Sequence, residues 1–227
     1  MEQIGIVCAS DLELAPFLKN MEITRNWKKA MLTFYEGRLE GTSVVAVSSG
    51  VCKVNAAIAA QILIDEQHVY GIISAGTAGG MSSQVRLFDT VVGEYTAYHD
   101  VDSDILTKDH PHLPSLYFSA DDWFLRIMKV LSQTLSFPIL FGRIVTGEQF
   151  ITYDRREEIY NRFSPLAVDM ESAGIAHVCY VNQISFISVK TITDSFEHRG
   201  LDVFDQNCEQ ASVICAGIVS QLVARLG

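Results

Sequence analysis

The sequence predicts an α/β fold: a single-domain α/β/α sandwich with a mixed central sheet. Two observations lead to that class. Apolar runs of strand length at 4–8, 32–36, 43–48, 70–75, 88–93, 139–145 and 184–192 alternate with helical patterns at 11–19, 53–66, 121–133, 154–162, 171–180 and 205–226. Such alternation builds a sheet with helices on both sides. The turn-like stretch Glu36-Gly37-Arg38-Leu39-Glu40-Gly41 joins two of these runs as a hairpin would, so part of the sheet is antiparallel.

Each element follows from local chemistry. Ile4-Gly5-Ile6-Val7-Cys8 is a continuous apolar run, the pattern of a strand covered on both faces. The helix after it starts at Ser10, and Glu13 three residues later gives the spacing of a capping box. In the last helix Ala211, Ile214, Cys215, Ile218, Val219, Leu222 and Leu226 mark one face at helical spacing. Asp205 near its start and Arg225 near its end agree with the helix dipole. The segment 99–120 is polar, carries Pro111 and Pro114, and has no clear pattern; a loop of that length is usually functional or part of an interface.

The 227 residues suit one domain spanning 1–227. A formal net charge of −10 argues against nucleic acid or an anionic membrane as partner. No apolar stretch approaches the roughly 18 residues that a membrane span needs. Cys8, Cys52, Cys179, Cys208 and Cys215 are scattered without CxxC spacing, and Met1-Glu2-Gln3 runs straight into the first strand. Both features are those expected of a cytoplasmic protein.

The strand ends carry the candidate chemistry. Ser74-Ala75-Gly76-Thr77-Ala78-Gly79-Gly80 is a glycine-rich turn after a strand, where a ligand can approach exposed backbone N–H groups. It is neither GxGxxG nor a P-loop, so a nucleoside suits it better than a dinucleotide. In Leu166-Ala167-Val168-Asp169-Met170-Glu171 an apolar run ends in two acids at a helix start. The helix dipole alone explains acids there, but ligands of open α/β sheets bind at such handovers. Glu13 is open to the same two readings, as a cap or as a catalytic acid. Thr193-Asp194-Ser195 closes another strand, either as an Asx-type turn or as an acid poised by burial. Phe150, after the Gly147 turn, is either core or a stacking surface for a flat ring.

Other chemistries fail. Asp100, Asp102 and Asp104 imitate a calcium loop, but Ile105 stands where glycine is required and Pro111 where the bidentate Glu belongs. His99, His110 and His112 lack a zinc framework, and there is no GxSxG. Carboxylates are left to do the work.

Taken together, these segments resemble 5′-methylthioadenosine/S-adenosylhomocysteine nucleosidases, within the purine and uridine phosphorylase family. The resemblance runs through Ile4–Glu13, Ser49-Gly50-Val51-Cys52-Lys53-Val54, Gly76–Gly80, Tyr98-His99-Asp100, Thr146–Ile151, Ala167–Glu171, Ala176–Cys179, Thr193-Asp194 and Phe204-Asp205. It implies hydrolysis of the N-glycosidic bond of 5′-modified adenosines, such as 5′-methylthioadenosine, S-adenosylhomocysteine or 5′-deoxyadenosine. In that scheme Asp194 is the general acid at N7 of adenine, Glu171 binds the ribose hydroxyls above Met170, and Glu13 activates water. Phe150 and Ile151 hold the base, one by stacking and one through its backbone. Val51, Thr77, Ala78, Gly79, Thr193 and Phe204 complete the substrate-binding set. The resemblance implies a homodimer whose partner is a small-molecule nucleoside, with no metal and no organic cofactor. Building positive charge on ribose and negative charge on the base calls for one proton donor and nearby anions, which is what three acids provide.

Rival readings are a phosphate-dependent nucleoside phosphorylase, an aminodeoxyfutalosine-type nucleosidase and a non-catalytic nucleoside-binding protein. A phosphorylase needs arginines for phosphate, and residues 5–24 contain none, whereas Glu13 would repel the anion. Ser10 stands where these nucleosidases carry an apolar residue facing the 5′-group, and 99–114 is atypical. Adenine and ribose are therefore specified more firmly than the 5′-substituent.

Overall fold

The computed structural model describes residues 3–151, 153–194 and 201–227. Its elements in chain order are β1 (Ile4–Cys8), α1 (Asp11–Asn20), β2 (Glu22–Lys29), β3 (Leu32–Leu39), β4 (Thr42–Ser48), α2 (Lys53–Gln67), β5 (Gly71–Gly80) and β6 (Thr90–Tyr98). There follow α3 (Ser103–Lys108), β7 (Phe118–Ser119), α4 (Asp122–Leu131), β8 (Ile139–Thr146), α5 (Tyr153–Phe163), β9 (Ala167–Asp169), α6 (Ser172–Asn182), β10 (Ser185–Asp194) and α7 (Leu201–Val223).

The strands form one mixed sheet in the order β10-β6-β8-β9-β5-β1-β4-β3-β2, with β7 on β6. The sandwich expected from the sequence is present, and one half of it closes. β5 pairs with β10 as well as with β1 and β9, so β5, β10, β6, β8 and β9 form a ring. The predicted hairpin is β3–β4, turned by Glu40 at φ 50° and Gly41 at φ 80°. Two consecutive left-handed residues match the right-handed twist of a strand pair.

Helices α1, α4 and α7 cover one face through Leu14, Phe17, Phe124, Met128, Val219 and Leu222, all buried with Ile4, Ile6 and Ile73. Helices α2 and α6 cover the other through Ala56, Ala59, Leu63, Ile175 and Cys179 against Val7, Val45 and Ile72. Alternate residues of β1 thus serve opposite cores, as the period of two requires.

β2 has no counterpart among the predicted strands. It is an edge strand exposed along nearly its whole length, rich in charge, so no apolar alternation betrays it. Arg25, Lys28 and Lys29 also protect that edge from pairing with other chains. The unpatterned segment 99–120 holds the short helix α3 and strand β7.

A strained backbone position stands at the start of α2. Cys52, preceding α2, has φ 84° and ψ 159°, a region that essentially only glycine occupies. Its N–H is thereby aimed at Glu171. Cys52→Gly is expected to relieve this strain by about 1 kcal/mol after the extra entropy glycine loses on folding. A rise in Tm of about 2–4 °C in thermal denaturation would show it; an unchanged or lower Tm would contradict the strain.

Candidate active site

β5 organises the site. Thr77 and Gly79 are two residues apart, hence on the same face of the strand and separated by roughly 7 Å. Thr77 holds Glu13, and Gly79 lies beside Asp194. Glu13 Oε1 accepts from the Thr77 backbone N–H at 2.7 Å and from its hydroxyl at 2.8 Å. Glu13 Oε2 accepts from the N–H groups of Ala9, 2.7 Å, and Ser10, 3.2 Å. Ser10 Oγ accepts in return from Glu13 N–H, completing the capping box of α1. Glu13 is therefore both a helix cap and part of the cavity wall. This close approach needs Gly76: a Cβ there would lie 2.5 Å from Glu13 Oε1.

Asp194 ends β10 beside Gly79, where the pairing with β5 shifts after Ile192. A Cβ on Gly79 would stand 3.2 Å from Asp194 Oδ1, so the glycine leaves the carboxylate its space. Arg156 Nη2 donates to Asp194 Oδ2, and both side chains are buried. Thr193 Oγ1 lies 3.3 Å from Asp194 Oδ1 and 3.3 Å from the Ala78 carbonyl. Burial raises the Asp194 carboxyl above its ordinary range, and the neighbouring Arg156 only partly opposes this.

The end of β9 and the start of α6 supply two more acids. Asp169 accepts from Thr146 Oγ1 at 2.5 Å, from the Ser172 N–H and hydroxyl, and pairs with Lys190 Nζ at 3.3 Å. It thus ties the start of α6 to β8 and β10. Glu171 occupies the N-cap position of α6 without capping it. Its Oε1 accepts instead from Cys52 N–H, 2.8 Å, at the start of α2. Burial first, then the Asp169 charge, pushes the Glu171 carboxyl up to about 7.

Glu13, Asp169, Glu171 and Asp194 all face one cavity of about 320 Å³, the size of a small-ligand site. Of the residues singled out from sequence, Glu13, Val51, Thr77, Ala78, Gly79, Phe150, Ile151, Met170, Glu171, Asp194 and Phe204 line it. Phe150 and Phe204 meet edge to face with ring centroids 6.0 Å apart. Thr193 does not line it: adjacent strand residues point oppositely, and Thr193 is fully buried behind Asp194. Ser195, the other hydroxyl flanking Asp194, lies outside the described residues.

Sequence reasoning missed Arg156, and also Ala9, Gln149, Val168 and Asp169, which touch the cavity. Arg156 sits in the charged run Asp154-Arg155-Arg156-Glu157-Glu158, which reads as a solvated face. The available signal was periodicity: Arg156, Ile159 and Phe163 stand at i, i+3 and i+7 and all three are buried.

Comparison with known proteins gives the class of a chain with this sheet and these strand-end acids. The chain belongs to the phosphorylase superfamily, whose family model matches residues 3–224. Within it, the chain is 30% identical to a 5′-methylthioadenosine/S-adenosylhomocysteine nucleosidase of Halalkalibacterium halodurans, with 100% of both chains covered. It is also 30% identical to the nucleosidase of that name from Bacillus subtilis, over 99% of each. Among solved structures, the nucleosidase of S. pneumoniae with the transition-state inhibitor MT-ImmA superposes with TM-score 0.90 at 29% identity, covering 99% and 100% of the two chains. The Neisseria meningitidis nucleosidase in complex with methylthio-immucillin-A gives 0.91 at 28%, with the same coverage.

The raised Glu171 has a consequence for stability. A carboxyl shifted upward on folding binds its proton more tightly in the folded state, so stability is lost as pH rises from about 4.5 to about 7. Glu171→Gln should remove that loss. Its stability relative to the parent is expected to improve by roughly 1–3 kcal/mol between pH 5 and pH 8 in urea unfolding. A difference independent of pH would refute the burial of an ionisable Glu171.

Proposed function

We propose that the protein hydrolyses the N-glycosidic bond of 5′-modified adenosines, releasing adenine and the 5′-modified ribose, with residues 1–227 acting as one catalytic domain. The observation that carries this reading is the convergence of Glu13, Glu171 and Asp194 on one cavity. Its support is the full-length similarity to nucleosidases of that specificity.

In this reading adenine lies against Phe150, Ile151 and Phe204 at the Asp194 end, and ribose lies over Met170 at the Glu171 end. Glu171 as a carboxylate accepts from the ribose hydroxyls. Asp194 gives its proton to N7, so the electron pair of the breaking C1′–N9 bond is accepted by a neutral base. The upward shift of Asp194 lies in the direction a proton donor needs. Water adds to C1′ and its proton passes to Glu13. Both oxygens of Glu13 already accept two hydrogen bonds each, which fills a carboxylate. The Thr77 hydroxyl is the donor free to rotate, so it yields its place as the water binds.

Hydrolysis is favoured over phosphorolysis by charge. Among the described residues, the one cationic side chain lining the cavity is Arg156, and it is engaged with Asp194 at the base end. Among the described residues no cationic side chain lines the cavity on the Glu13 side, where phosphate would have to be held.

The working unit in this reading is a homodimer, and its location is the cytoplasm. Exposed apolar side chains support the first: Val51 at the cavity wall, Val54 and Ile58 on α2, and Ile105 on α3. Five free cysteines support the second. No helix among the described residues is long and apolar enough to cross a membrane.

Three outcomes test the reading. Incubation with 5′-methylthioadenosine should give free adenine and methylthioribose at the same rate with and without phosphate; a phosphate-dependent sugar phosphate would overturn it. Asp194→Asn should lower kcat by about 10²–10⁴-fold, the usual worth of a general acid, with native circular dichroism; near-normal turnover would remove Asp194 from the mechanism. Val54→Asp should shift the sedimentation coefficient from dimer to monomer, and a parent protein already monomeric would exclude the dimer.

A further inference from the structure

The hydrolysis described above gives Arg156 no contact with substrate. Its side chain is only 3% exposed, yet it lines the base end of the cavity. Nη1 donates to the Gly80 carbonyl at 2.6 Å, Nη2 donates to Asp194 Oδ2, and Nε reaches toward the Ile151 carbonyl at 3.5 Å. A guanidinium carries five N–H groups. These contacts occupy three, leaving one N–H on each Nη with no acceptor among the described residues.

The edge of a purine that carries N7 also carries the substituent at C6. N7 accepts in either case, whereas a 6-amino group donates and a 6-oxo group accepts. With Asp194 at N7, the C6 substituent falls among Asp194 Oδ2, the Ile151 carbonyl and Arg156. The two acceptors there already receive N–H groups from Arg156. A 6-amino group must share them. A 6-oxo group meets spare donors on a buried cation, where charge-assisted hydrogen bonds are strongest.

We infer that Arg156 opens the base subsite to 6-oxopurines, so that the protein cleaves 5′-modified inosines alongside 5′-modified adenosines. This rests on the nucleosidase reading and extends it. The chemistry balances as before: Asp194 transfers its proton to N7, the C1′–N9 electron pair leaves with the base, and water supplies hydroxide to C1′ and a proton to Glu13. Arg156 only donates hydrogen bonds to O6 and moves no proton.

The test compares 5′-methylthioinosine with 5′-methylthioadenosine as substrates of the purified protein. Their kcat/KM values should lie within about tenfold of each other, and hypoxanthine should compete with 5′-methylthioadenosine about as well as adenine does. Arg156→Met should lower the inosine-to-adenosine ratio of kcat/KM by about 10- to 100-fold, the usual worth of a hydrogen bond to a charged group. Arg156→Lys, which keeps a cationic donor, should restore part of that ratio. Equal losses on both substrates would overturn the inference and leave Arg156 a support for Asp194. Cleavage of the adenosine without the inosine would overturn it while leaving the nucleosidase reading intact. Cleavage of neither would sink both. If the variants fail to fold, the two wild-type substrates and the hypoxanthine competition decide.

Discussion

Three carboxylates, Glu13, Asp169 and Glu171, are buried around one fully enclosed ammonium, Lys190. Burial alone would drive a proton off that lysine, but the charges of Asp169, Glu13 and Glu171 hold it above its ordinary range. The dependence is mutual. Uncompensated buried anions cost several kcal/mol each, and the lysine is the buried cation set among them. It sits on β10 and pairs with Asp169, which in turn ties β8 and β10 to the start of α6. The charge balance and the junction of the closed half of the sheet are therefore one arrangement.

The same economy recurs at the other acids. Glu13 caps α1 and, through Thr77, fastens that helix to β5. Asp194 is held by Arg156, whose other contacts reach the Gly80 and Ile151 carbonyls. Bonds that shape the fold thus also fix the acids that face the cavity. The strained Cys52 belongs to this pattern: its unfavourable backbone directs an N–H to Glu171.

Much of this was legible in the chain, and the reasons differ by residue. The apolar runs placed seven strands because their residues are buried, and burial selects hydrophobicity. β2 escaped because both its faces meet solvent. The glycines of 76–80 and the acids at strand ends stood out because strand ends facing ligands break the apolar pattern locally. The cap reading of Glu13 holds, and its second oxygen is bonded to Thr77 at the cavity wall. Glu171, by contrast, gives no cap to its own helix, which weakens the dipole reading that its position suggested.

The family resemblance pointed to most of the residues lining the cavity, whereas the sequence by itself determined the α/β class, the hairpin and the order of the motifs. These are matters of local periodicity, turn chemistry and residue type. Only the tertiary structure decided the charge pairs. Lys190 lies within an apolar strand and Arg156 within a polar helix, and neither spacing reveals a partner 21 or 38 residues away. Which ions meet depends on how β10 registers against β5 and which face of α5 turns inward. Long-range packing sets both, and with them the character of the base end of the site.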